Sequence, residues 1–502
     1  MNIKFDNLSE GIKELLRKRE VYDDETLERF INPSFDHLRP CYEILKPEIE
    51  MVKEFIKKGK RILIWGDEDI DGITSTLIMK FLFKDLFDIE VSYYIPNREK
   101  EGYGLSKGGI DKAQEQGIDL IITVDSGTDS FEEVEYLKSK GMEVIITDHH
   151  ELKEKIPKVP FLNPKFLPFG YKNLAGAGVA FKFADCIYYE YKGEKAKTWT
   201  KKIPEIPILA FIGTIVDKVP LVDENRILYC EGLKLLKEAK KPPFSLFSNK
   251  NDILNELKPI SSGKSNLIFK FFSADSIEEA DRIYGILKSN YKAWDKNVRE
   301  EFLAIKEELE NGKRVVFRKN LNYKIASGLA NRAKDFCKAP VVVIYSTGSS
   351  IRGECRGPSD SDLLSLLKKL EYLLIDYGGH KSACGFTLER ENIEEFKEKM
   401  ELLLKEYKKE KPPTVELKLE EITPDLQKLI KKMEPFGIGN YFPIFLIRNV
   451  NYFNEGNSSF LSNEKASILI TEIREIPPAS MKINAYLEIY PEKIILKGWE
   501  NV

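Results

Sequence analysis

Four residues with metal-binding side chains fall at two points of the chain, each directly after an apolar run. Asp125 is the first, and Asp148 begins the second, where it is followed by His149 and His150. The chain has four histidines in 502 residues, so an adjacent pair beside an acid is informative. Carboxylate and imidazole groups together are suitable ligands for Mn²⁺ or Mg²⁺. A surface histidine pair that caps the next helix is the alternative for these residues taken alone.

A second acidic group precedes Gly72 in the sequence GDEDIDG. Asp67, Asp69 and Asp71 alternate with other residues, and an extended chain would point all three to one side. Like charges held so close are costly unless a cation neutralises them, which makes these acids candidate metal ligands. An acidic turn that caps a helix is the alternative. A calcium loop is a weaker alternative, because no Glu stands at the later position that an EF-hand requires.

Single residues in unusual settings add further candidates. Asp217 stands in an otherwise apolar run, where an isolated acid is costly unless it is paired or bound to a metal. Arg98 lies in a glycine-containing loop, where an ordinary surface arginine is equally expected. Gly378 and Gly379 precede His380 and would let the backbone approach a ligand closely, although Gly-Gly-His alone is more often a turn.

The elements that must position the first group form a β-α-β unit. Residues 120–124 and 144–147 are apolar strands, and residues 130–140 have helical spacing that stops at Gly141. A crossover of this kind makes the strands parallel, so both strand ends lie at one edge of the sheet. Ligands of open α/β sheets bind at that edge. The acids and histidines are therefore expected to meet there.

Length and periodicity predict the domain organisation. At roughly 150 residues per domain, the chain is long enough for about three domains. We expect a helical N-terminal extension, an α/β domain with a parallel sheet, a long helical linker, a second α/β domain and a small C-terminal β-barrel or sandwich. The corresponding segments are residues 1–50, 51–230, 231–312, 313–410 and 411–502.

Bulk composition limits the partners and the compartment. The net charge is −3, so a nucleic-acid partner would need a local basic groove. The six cysteines are scattered without CxxC spacing, which indicates a reducing cytoplasm and argues against a zinc site and a disulfide framework. The N-terminus shows no signal-peptide pattern, and the longest apolar run, about residues 206–216, is too short to span a bilayer. We expect a cytoplasmic protein with no membrane partner.

Taken in order, these motifs resemble the DHH/DHHA1 phosphoesterase superfamily. They run from about Asn32 to Phe445, nearly the whole chain, and are highly specific as a set. Within the superfamily the chain looks most like the RecJ-like single-strand-specific 5′→3′ exonucleases, because PFGIGN follows GGH. The sequences that carry the resemblance are GDEDIDG, PNREKEGYGLS, VDSG, TDHHE, NPK, LAGAGVAFK, GTIVDKVPL with ENR, GGHKSACGF and PFGIGNYFP.

The resemblance implies hydrolysis of phosphodiester bonds by water activated on two divalent ions, Mn²⁺ or Mg²⁺. His150 would lie next to the scissile phosphate, and Asp125 would bridge the ions. The implied metal ligands are Asp69, Asp71, Asp125, His149 and Asp217, with Asp67 as a further candidate. His380, with Gly378 and Gly379, would belong to a DHHA1 domain that closes over the substrate. The C-terminal segment would be an OB-fold.

Recognition of the 5′ end is where the chain departs from its relatives. Arg98 and Arg356 are the candidates for this role, since guanidinium groups match phosphate oxygens bidentately. Glu354 stands where many family members have serine, and its charge would repel a terminal phosphate or pair with Arg356. Glu68 stands where the family usually has an aromatic residue. We therefore expect only a modest preference for a 5′-phosphate.

The resemblance implies single-stranded DNA as substrate, with RNA as an alternative, and a role in DNA repair and recombination. A single-strand-binding protein or a helicase is a possible partner. One alternative is a phosphodiesterase of nanoRNA or cyclic dinucleotides, which shares the metal site but needs no β-barrel. Another is a non-catalytic replication scaffold, although such relatives typically lose the metal-binding acids. A metal-dependent pyrophosphatase is disfavoured by the length and by GGHKSACG.

Overall fold

The computed structural model forms two compact units. The first comprises Met1–Tyr284 and Pro413–Val502, and the second Gly285–Pro412. The C-terminal segment therefore folds with the N-terminal part of the chain. The structure describes residues 4–152, 155–248, 252–261, 263–347, 350–358, 361–407, 414–478 and 480–502.

A five-stranded sheet lies at the centre of the first unit. Its strands are β1 (Ile62–Trp65), β2 (Ser92–Tyr94), β3 (Leu120–Val124), β4 (Glu143–Thr147) and β5 (Phe161–Leu162). The order is β2-β1-β3-β4-β5, and every neighbouring pair is parallel. β1 and β3 are buried at every position and apolar except for Thr123, as expected for a parallel sheet covered by helices on both faces. The predicted parallel α/β fold is confirmed.

Helices cover this sheet on both faces and continue into the predicted helical region. α4 and α8 pack on one face and contact α10, while α6 and α7 pack on the other face. The helices are α1 (Glu10–Arg17), α2 (Asp24–Ile31), α3 (Tyr42–Lys57), α4 (Ile70–Phe87), α5 (Arg98–Glu101), α6 (Lys107–Glu115), α7 (Phe131–Ser139), α8 (Gly176–Lys192), α9 (Ala196–Trp199), α10 (Glu205–Val216), α11 (Asp223–Glu238), α12 (Ile253–Ser261), α13 (Ser265–Phe272) and α14 (Ile277–Glu310).

The second unit contains the second predicted α/β sheet. Its strands are β6 (Val315–Arg318), β7 (Val341–Thr347), β8 (Ser350–Arg356), β9 (Leu374–His380) and β10 (Ala383–Leu388). Its helices are α15 (Tyr323–Cys337), α16 (Leu363–Lys369) and α17 (Ile393–Lys405). The strand order is β6-β7-β8-β10-β9, with β6 and β7 parallel and the other pairs antiparallel.

The C-terminal segment is a curled β-sheet consistent with an OB-fold. It contains β11 (Thr414–Leu417), α18 (Pro424–Lys432), β12 (Ile444–Glu455), β13 (Ser458–Ser462), β14 (Ser467–Ile470), β15 (Glu472–Ile473), β16 (Met481–Ile489) and β17 (Ile494–Asn501). The predicted β-domain is confirmed. Its core includes apolar side chains of α1 and α2, so the N-terminal helices pack into this domain. Among the described residues, no helix combines the length and apolar character needed to cross a membrane.

The cysteines differ from the sequence-based expectation. The structure joins Cys41, directly before α3, to Cys186 in α8 as a disulfide, with the Cα atoms 6.7 Å apart. The two residues are 145 positions apart in sequence, so their spacing could not reveal that α3 packs against α8. The exact division into the five predicted segments stays a prediction, and α3 and α11 run across residues 50 and 230.

Candidate metal centre

The carboxyl ends of β1, β3 and β4 meet at one edge of the parallel sheet. Asp67 lies two residues after β1, Asp125 directly after β3, and His149 two residues after β4. All three are buried. Asp125 adopts a φ of 58°, which turns the chain away from the sheet at this point. The structure thus brings together the acids and histidine that the β-α-β pattern places at this edge.

Asp69 and Asp71 belong to the start of α4. Asp69 is the N-cap, and its side chain accepts a hydrogen bond of 3.0 Å from the backbone N–H of Gly72. Asp71 lies in the first helical turn. The expectation that Asp71 continues an extended segment is therefore wrong, since the N-cap aspartate starts the helix before the apolar run at Ile73.

Helix α8 holds the carboxylate of Asp71 with its first backbone N–H groups. Gly176 donates at 2.7 Å and Ala177 at 2.9 Å, using donors that have no partner within the helix. A Cβ atom on Gly176 would lie 2.5 Å from Oδ1 of Asp125. Only glycine therefore permits this approach. The small residues at the start of α8 therefore lie against a pair of carboxylates.

His149 lies at the centre of the acids. Its Nε2 atom is 3.1 Å from Oδ1 of Asp125 and 3.8 Å from Oδ2 of Asp71. Its Nδ1 atom is 3.7 Å from Oδ2 of Asp217, the residue that ends α10. Asp217 is therefore not an isolated acid in a core, because the end of α10 brings it to the sheet edge.

Three groups of side chains at this edge could each hold a metal ion. In every group the ligand atoms lie within 4.8 Å of one another. Asp125 belongs to two of the groups and His149 to two, which suits residues shared between neighbouring ions. The groups are Asp125 with His149 and His150, Asp71 with His149 and Asp217, and Asp67 with Asp69 and Asp125.

The electrostatics of these acids fit a divalent cation. Burial, followed by the neighbouring carboxylates, raises the pKa of Asp71 and Asp125 well above the ordinary value. Burial, followed by the charge of Asp69, raises the pKa of Asp217 to about 7. Oδ1 of Asp125 is buried and accepts no hydrogen bond from the described residues. Carboxylates in such a setting are stable in the charged form beside cations, and oxygen and imidazole donors suit Mn²⁺ or Mg²⁺.

Asp148 orients the two histidines. The backbone N–H groups of Thr128 and His149 donate to its carboxylate at 2.8 and 2.7 Å, and Nδ1 of His150 lies 2.8 Å away. Burial opposes the charged form, but the hydrogen bond and charge of His150 hold the pKa of Asp148 below its ordinary value. Asp148 is therefore a charged partner that fixes the ring of His150.

Tyr103 is a functional candidate that the sequence reasoning missed. Its hydroxyl donates to the carbonyl of Asp125 at 2.9 Å and lies 2.9 Å from Nδ1 of His150. Tyr103 is 42% exposed, so part of the residue is open to solvent beside the site. In the sequence, the signal for this residue is an aromatic side chain between the two glycines of EGYGLS, close to Arg98.

Arg98 lies directly at the metal-ligand candidates. Its Nε atom donates to Oδ1 of Asp67 at 2.9 Å, and Nη2 contacts Oδ2 of Asp67 and donates to Oδ2 of Asp69 at 2.9 Å. The guanidinium lies over the ring of Tyr103, 5.3 Å from its centroid. It is therefore not an ordinary surface arginine, which was the alternative for this residue.

The second unit contains the remaining candidates. Nη2 of Arg356 pairs with Glu354 at 2.8 Å and donates to Oγ of Ser327 at 2.6 Å, so the predicted pairing with Glu354 is confirmed. Gly378 and Gly379 lie in β9, and Gly379 has a φ of 124°, which favours glycine. His380 ends β9, and its side chain lies outside the described part of the structure.

Three family models match successive parts of the chain. The model of the DHH family N-terminal domain matches residues 61–213. The DHHA1 domain matches residues 311–406, and the RecJ OB domain matches residues 414–464. The first match covers Asp125, His149 and the other candidates at the sheet edge but ends before Asp217. The other two matches follow the second unit and the C-terminal β-domain.

The chain is also similar to curated proteins and solved structures. It is 28% identical to the single-stranded-DNA-specific exonuclease RecJ of Bacillus subtilis over 87% of this chain and 58% of that protein. It is 27% identical to the protein of the same name from Escherichia coli, over 79% of this chain and 75% of the relative. The chain thus spans less than two thirds of the length of the Bacillus relative.

Two crystal structures extend the comparison. RecJ from Thermus thermophilus in complex with Mn²⁺ is 21% identical, with a TM-score of 0.72 over 98% of this chain and 78% of that one, which supports the fold. A structure of exonuclease RecJ bound to manganese is 26% identical, with a TM-score of 0.57 over 72% of this chain and 95% of that one.

Proposed function

Because this chain is a RecJ-like member of the DHH/DHHA1 phosphoesterase superfamily, we propose that it is a metal-dependent exonuclease that hydrolyses single-stranded DNA in the 5′→3′ direction. One observation carries the proposal: the side chains of Asp71, Asp125 and Asp217 surround His149, close enough for their ligand atoms to share bound metal ions. Relatives at 26–28% identity named as single-stranded-DNA-specific exonucleases support the same reaction.

The metal ligands of this proposal are Asp69, Asp71, Asp125, His149 and Asp217, with Asp67 as a further candidate. Two divalent ions, Mn²⁺ or Mg²⁺, would activate water and stabilise the charge that develops on the phosphate oxygens. Asp125 contributes to two of the possible metal groups and is the proposed bridge. The backbone of α8 keeps Asp71 fixed, so that little reorganisation is needed when an ion binds.

His150 is the proposed contact to the scissile phosphate. Asp148 holds Nδ1 of its ring, and this contact raises the pKa of His150 although burial alone would lower it. A protonated imidazole would donate to a phosphate oxygen and favour the charge that builds up there. His380 of the DHHA1 domain is a further candidate for substrate contact, together with Gly378 and Gly379.

Arg98 and Arg356 are the proposed contacts to the 5′ end. Both guanidinium groups have the planar geometry that matches phosphate oxygens. The ion pair of Arg356 with Glu354 supports only a modest preference for a 5′-phosphate, since the carboxylate competes for the same donors. Four further points stay predictions. They are RNA as a second substrate, a single-strand-binding protein or helicase as partner, a role in DNA repair and recombination, and a cytoplasmic location.

The test is a nuclease assay with 3′-labelled oligonucleotides in Mn²⁺ or Mg²⁺. We expect stepwise loss of nucleotides from the 5′ end of single strands, no cleavage of circular single strands, and no reaction after chelation of the metal. Matched duplex DNA and a dinucleotide serve as controls. Shortening from the 3′ end would contradict the direction. Faster cleavage of the dinucleotide than of the long strand would favour a small-substrate phosphodiesterase instead.

A further inference from the structure

The segment that follows Asp217 is held from two sides, by Asn225 of α11 and by Ile438 of the C-terminal domain. The side-chain amide of Asn225 donates to the carbonyl of Pro220 at 3.1 Å. The backbone N–H of Leu221 donates to the carbonyl of Ile438, in the C-terminal domain, at 2.7 Å. Three and four residues after a metal-ligand candidate, the chain is thus fixed from the α/β domain at Pro220 and from the C-terminal domain at Leu221.

Asn225 also reaches the other side of the candidate metal centre. The same Nδ2 atom donates to the carbonyl of Asn173 at 2.7 Å, using the second amide hydrogen. Asn173 lies three residues before Gly176, whose N–H group holds Asp71. Asn225 is fully buried. One amide therefore ties the loop that follows Asp217 to the loop that leads to the hydrogen-bond donors of Asp71.

The loop on the C-terminal side is itself rigidly anchored. Asn440 is fully buried and accepts a hydrogen bond of 2.6 Å from Nε of Arg19. Its amide donates to the carbonyls of Met433 and Pro435 at 2.7 and 2.8 Å. A Cβ atom on Gly439 would lie 2.7 Å from Cβ of Pro220. The loop of residues 437–440 therefore lies directly against the segment after Asp217, and its hydrogen bonds restrict movement away from that segment.

We propose that Asn225 and the loop of residues 437–440 are positioning elements for the metal centre. Together they set the distance between Asp217 and Asp71 and so determine how tightly an ion is held by those acids and His149. This inference rests on the metal assignment of the proposed function. It gives a role to the ENR and PFGIGN sequences, which the mechanism otherwise does not use. It also makes the C-terminal domain a structural part of the site in addition to any contact with substrate.

The first variant removes the amide. Asn225→Leu loses both donated hydrogen bonds. Oδ1 of Asn225 accepts none from the described residues, so within that part of the chain these two are the side-chain hydrogen bonds that are lost. We expect calorimetry with Mn²⁺ to show one of two sites weakened by about tenfold or more, as is typical when partners that orient ligands are removed. The control is Thr200→Val, which loses a buried hydrogen bond to the carbonyl of Ala196 and should bind both ions normally.

The second variant approaches the same segment from the C-terminal domain. Gly439→Ala would push on Pro220, and we expect the same weakened Mn²⁺ site in a folded protein. Gly456→Ala is a matched control in the same domain. Its φ of 60° is similar to the 72° of Gly439, but it has no atom within 4 Å of the added Cβ. The backbone strain of the two substitutions is therefore comparable, but only Gly439→Ala presses on the segment that follows Asp217.

The rise in melting temperature on adding Mn²⁺ is a second readout. It should shrink in both variants and stay normal in both controls, whatever stability each variant loses without metal. Excess Mn²⁺ should restore kcat in the variants with little change in KM. If both variants bind two ions as tightly as wild type, the positioning role is wrong. A wild-type protein that binds no Mn²⁺ would instead contradict the proposed function.

Discussion

Asp125 is the residue on which the candidate metal centre depends most, because its carboxylate belongs to two of the three possible metal groups. We expect Asp125→Ala to fold normally and to reduce turnover more than tenfold, a barrier increase above about 1.4 kcal/mol. Without metal the variant should be no less stable than wild type, since it removes a buried, unfavourably placed acid.

The control for Asp125→Ala lies at the other end of the same strand. Asp119→Ala removes an acid that pairs with Lys60 at 2.7 Å, before β3 begins, and should leave turnover unchanged. The rate is measured on single-stranded oligonucleotides with Mn²⁺ in excess. An Asp125→Ala enzyme that keeps more than a tenth of the wild-type rate would mean that the two-metal assignment is wrong.

Glu354 should control the preference for a 5′-phosphate. Its carboxylate pairs with Arg356 at 2.8 Å, and removing it frees the guanidinium for phosphate. We expect Glu354→Ser to raise the ratio of rates on 5′-phosphorylated and 5′-hydroxyl strands by about fivefold or more, corresponding to roughly 1 kcal/mol. Arg356→Ala should remove the preference. A wild-type enzyme that already prefers 5′-phosphate strongly would contradict this role for Glu354.

At the residue scale, the sequence identified the acids but not all of their partners. Asp125 and His149 could be predicted because each follows an apolar strand, and strand ends of a parallel sheet converge. Tyr103 could not, since its contact with His150 depends on how the loop after β2 folds back over the edge. The role of Asp148 as a partner of His150 was likewise hidden, because acids at strand ends look alike in sequence.

At the element scale, Glu48 in α3 should lower stability at neutral and alkaline pH. It is buried, its Oε2 atom accepts no hydrogen bond from the described residues, and burial raises its pKa. An acid whose pKa is raised on folding stabilises the protein at low pH, and this contribution is lost as pH rises through the folded-state value. Glu48→Gln should therefore melt at a higher temperature than wild type at pH 8, and the two should converge near pH 4.

Glu50→Gln is the control on the same helix. Glu50 is half exposed and pairs with Lys53 at 3.3 Å, so its replacement should change the melting temperature little at either pH. The measurement is thermal unfolding followed by circular dichroism over this pH range. A Glu48→Gln advantage that does not depend on pH would mean that packing, and not titration, is responsible.

Periodicity in the sequence predicted which segments form helices and strands more accurately than it predicted where each element begins and ends. β3 and β4 were predicted within a residue, because each is a short apolar run that ends directly before an acid. α4 begins at Ile70, before the apolar run that starts at Ile73, because the first helical turn carries no apolar periodicity. The pairing of Cys41 with Cys186 depends on α3 packing against α8, which no local pattern reports.

At the scale of the whole molecule, the sequence predicted the kinds of domain and not their association. The C-terminal β-domain shares its core with the N-terminal helices α1 and α2. Arg226 in α11 reaches across this junction. Such contacts join residues about 200 positions apart, and a single sequence contains no signal for them.

Arg226 should couple the C-terminal domain to the rest of the first unit. It is fully buried and donates to the carbonyl of Phe30 at 2.6 Å and to those of Lys432, Met433 and Glu434, at the end of α18, at 2.6–2.9 Å. Arg226→Met would remove these donors. The carbonyl of Met433 would keep its hydrogen bond from Asn440, and each buried carbonyl that is left unpaired costs about 1–3 kcal/mol. We expect at least about 3 kcal/mol of lost stability and a separate, earlier transition for the C-terminal domain.

The measurement is differential scanning calorimetry of the full chain, with Arg17→Met as control. Arg17 is exposed and pairs with Glu10 at 2.5 Å, so its loss should cost less than about 1 kcal/mol. In Arg226→Met, limited proteolysis below the main transition should release fragments from the C-terminal domain first. If Arg226→Met unfolds in one step with the stability of Arg17→Met, the carbonyls at the end of α18 do not depend on this arginine, and the β-domain is held by its apolar core alone.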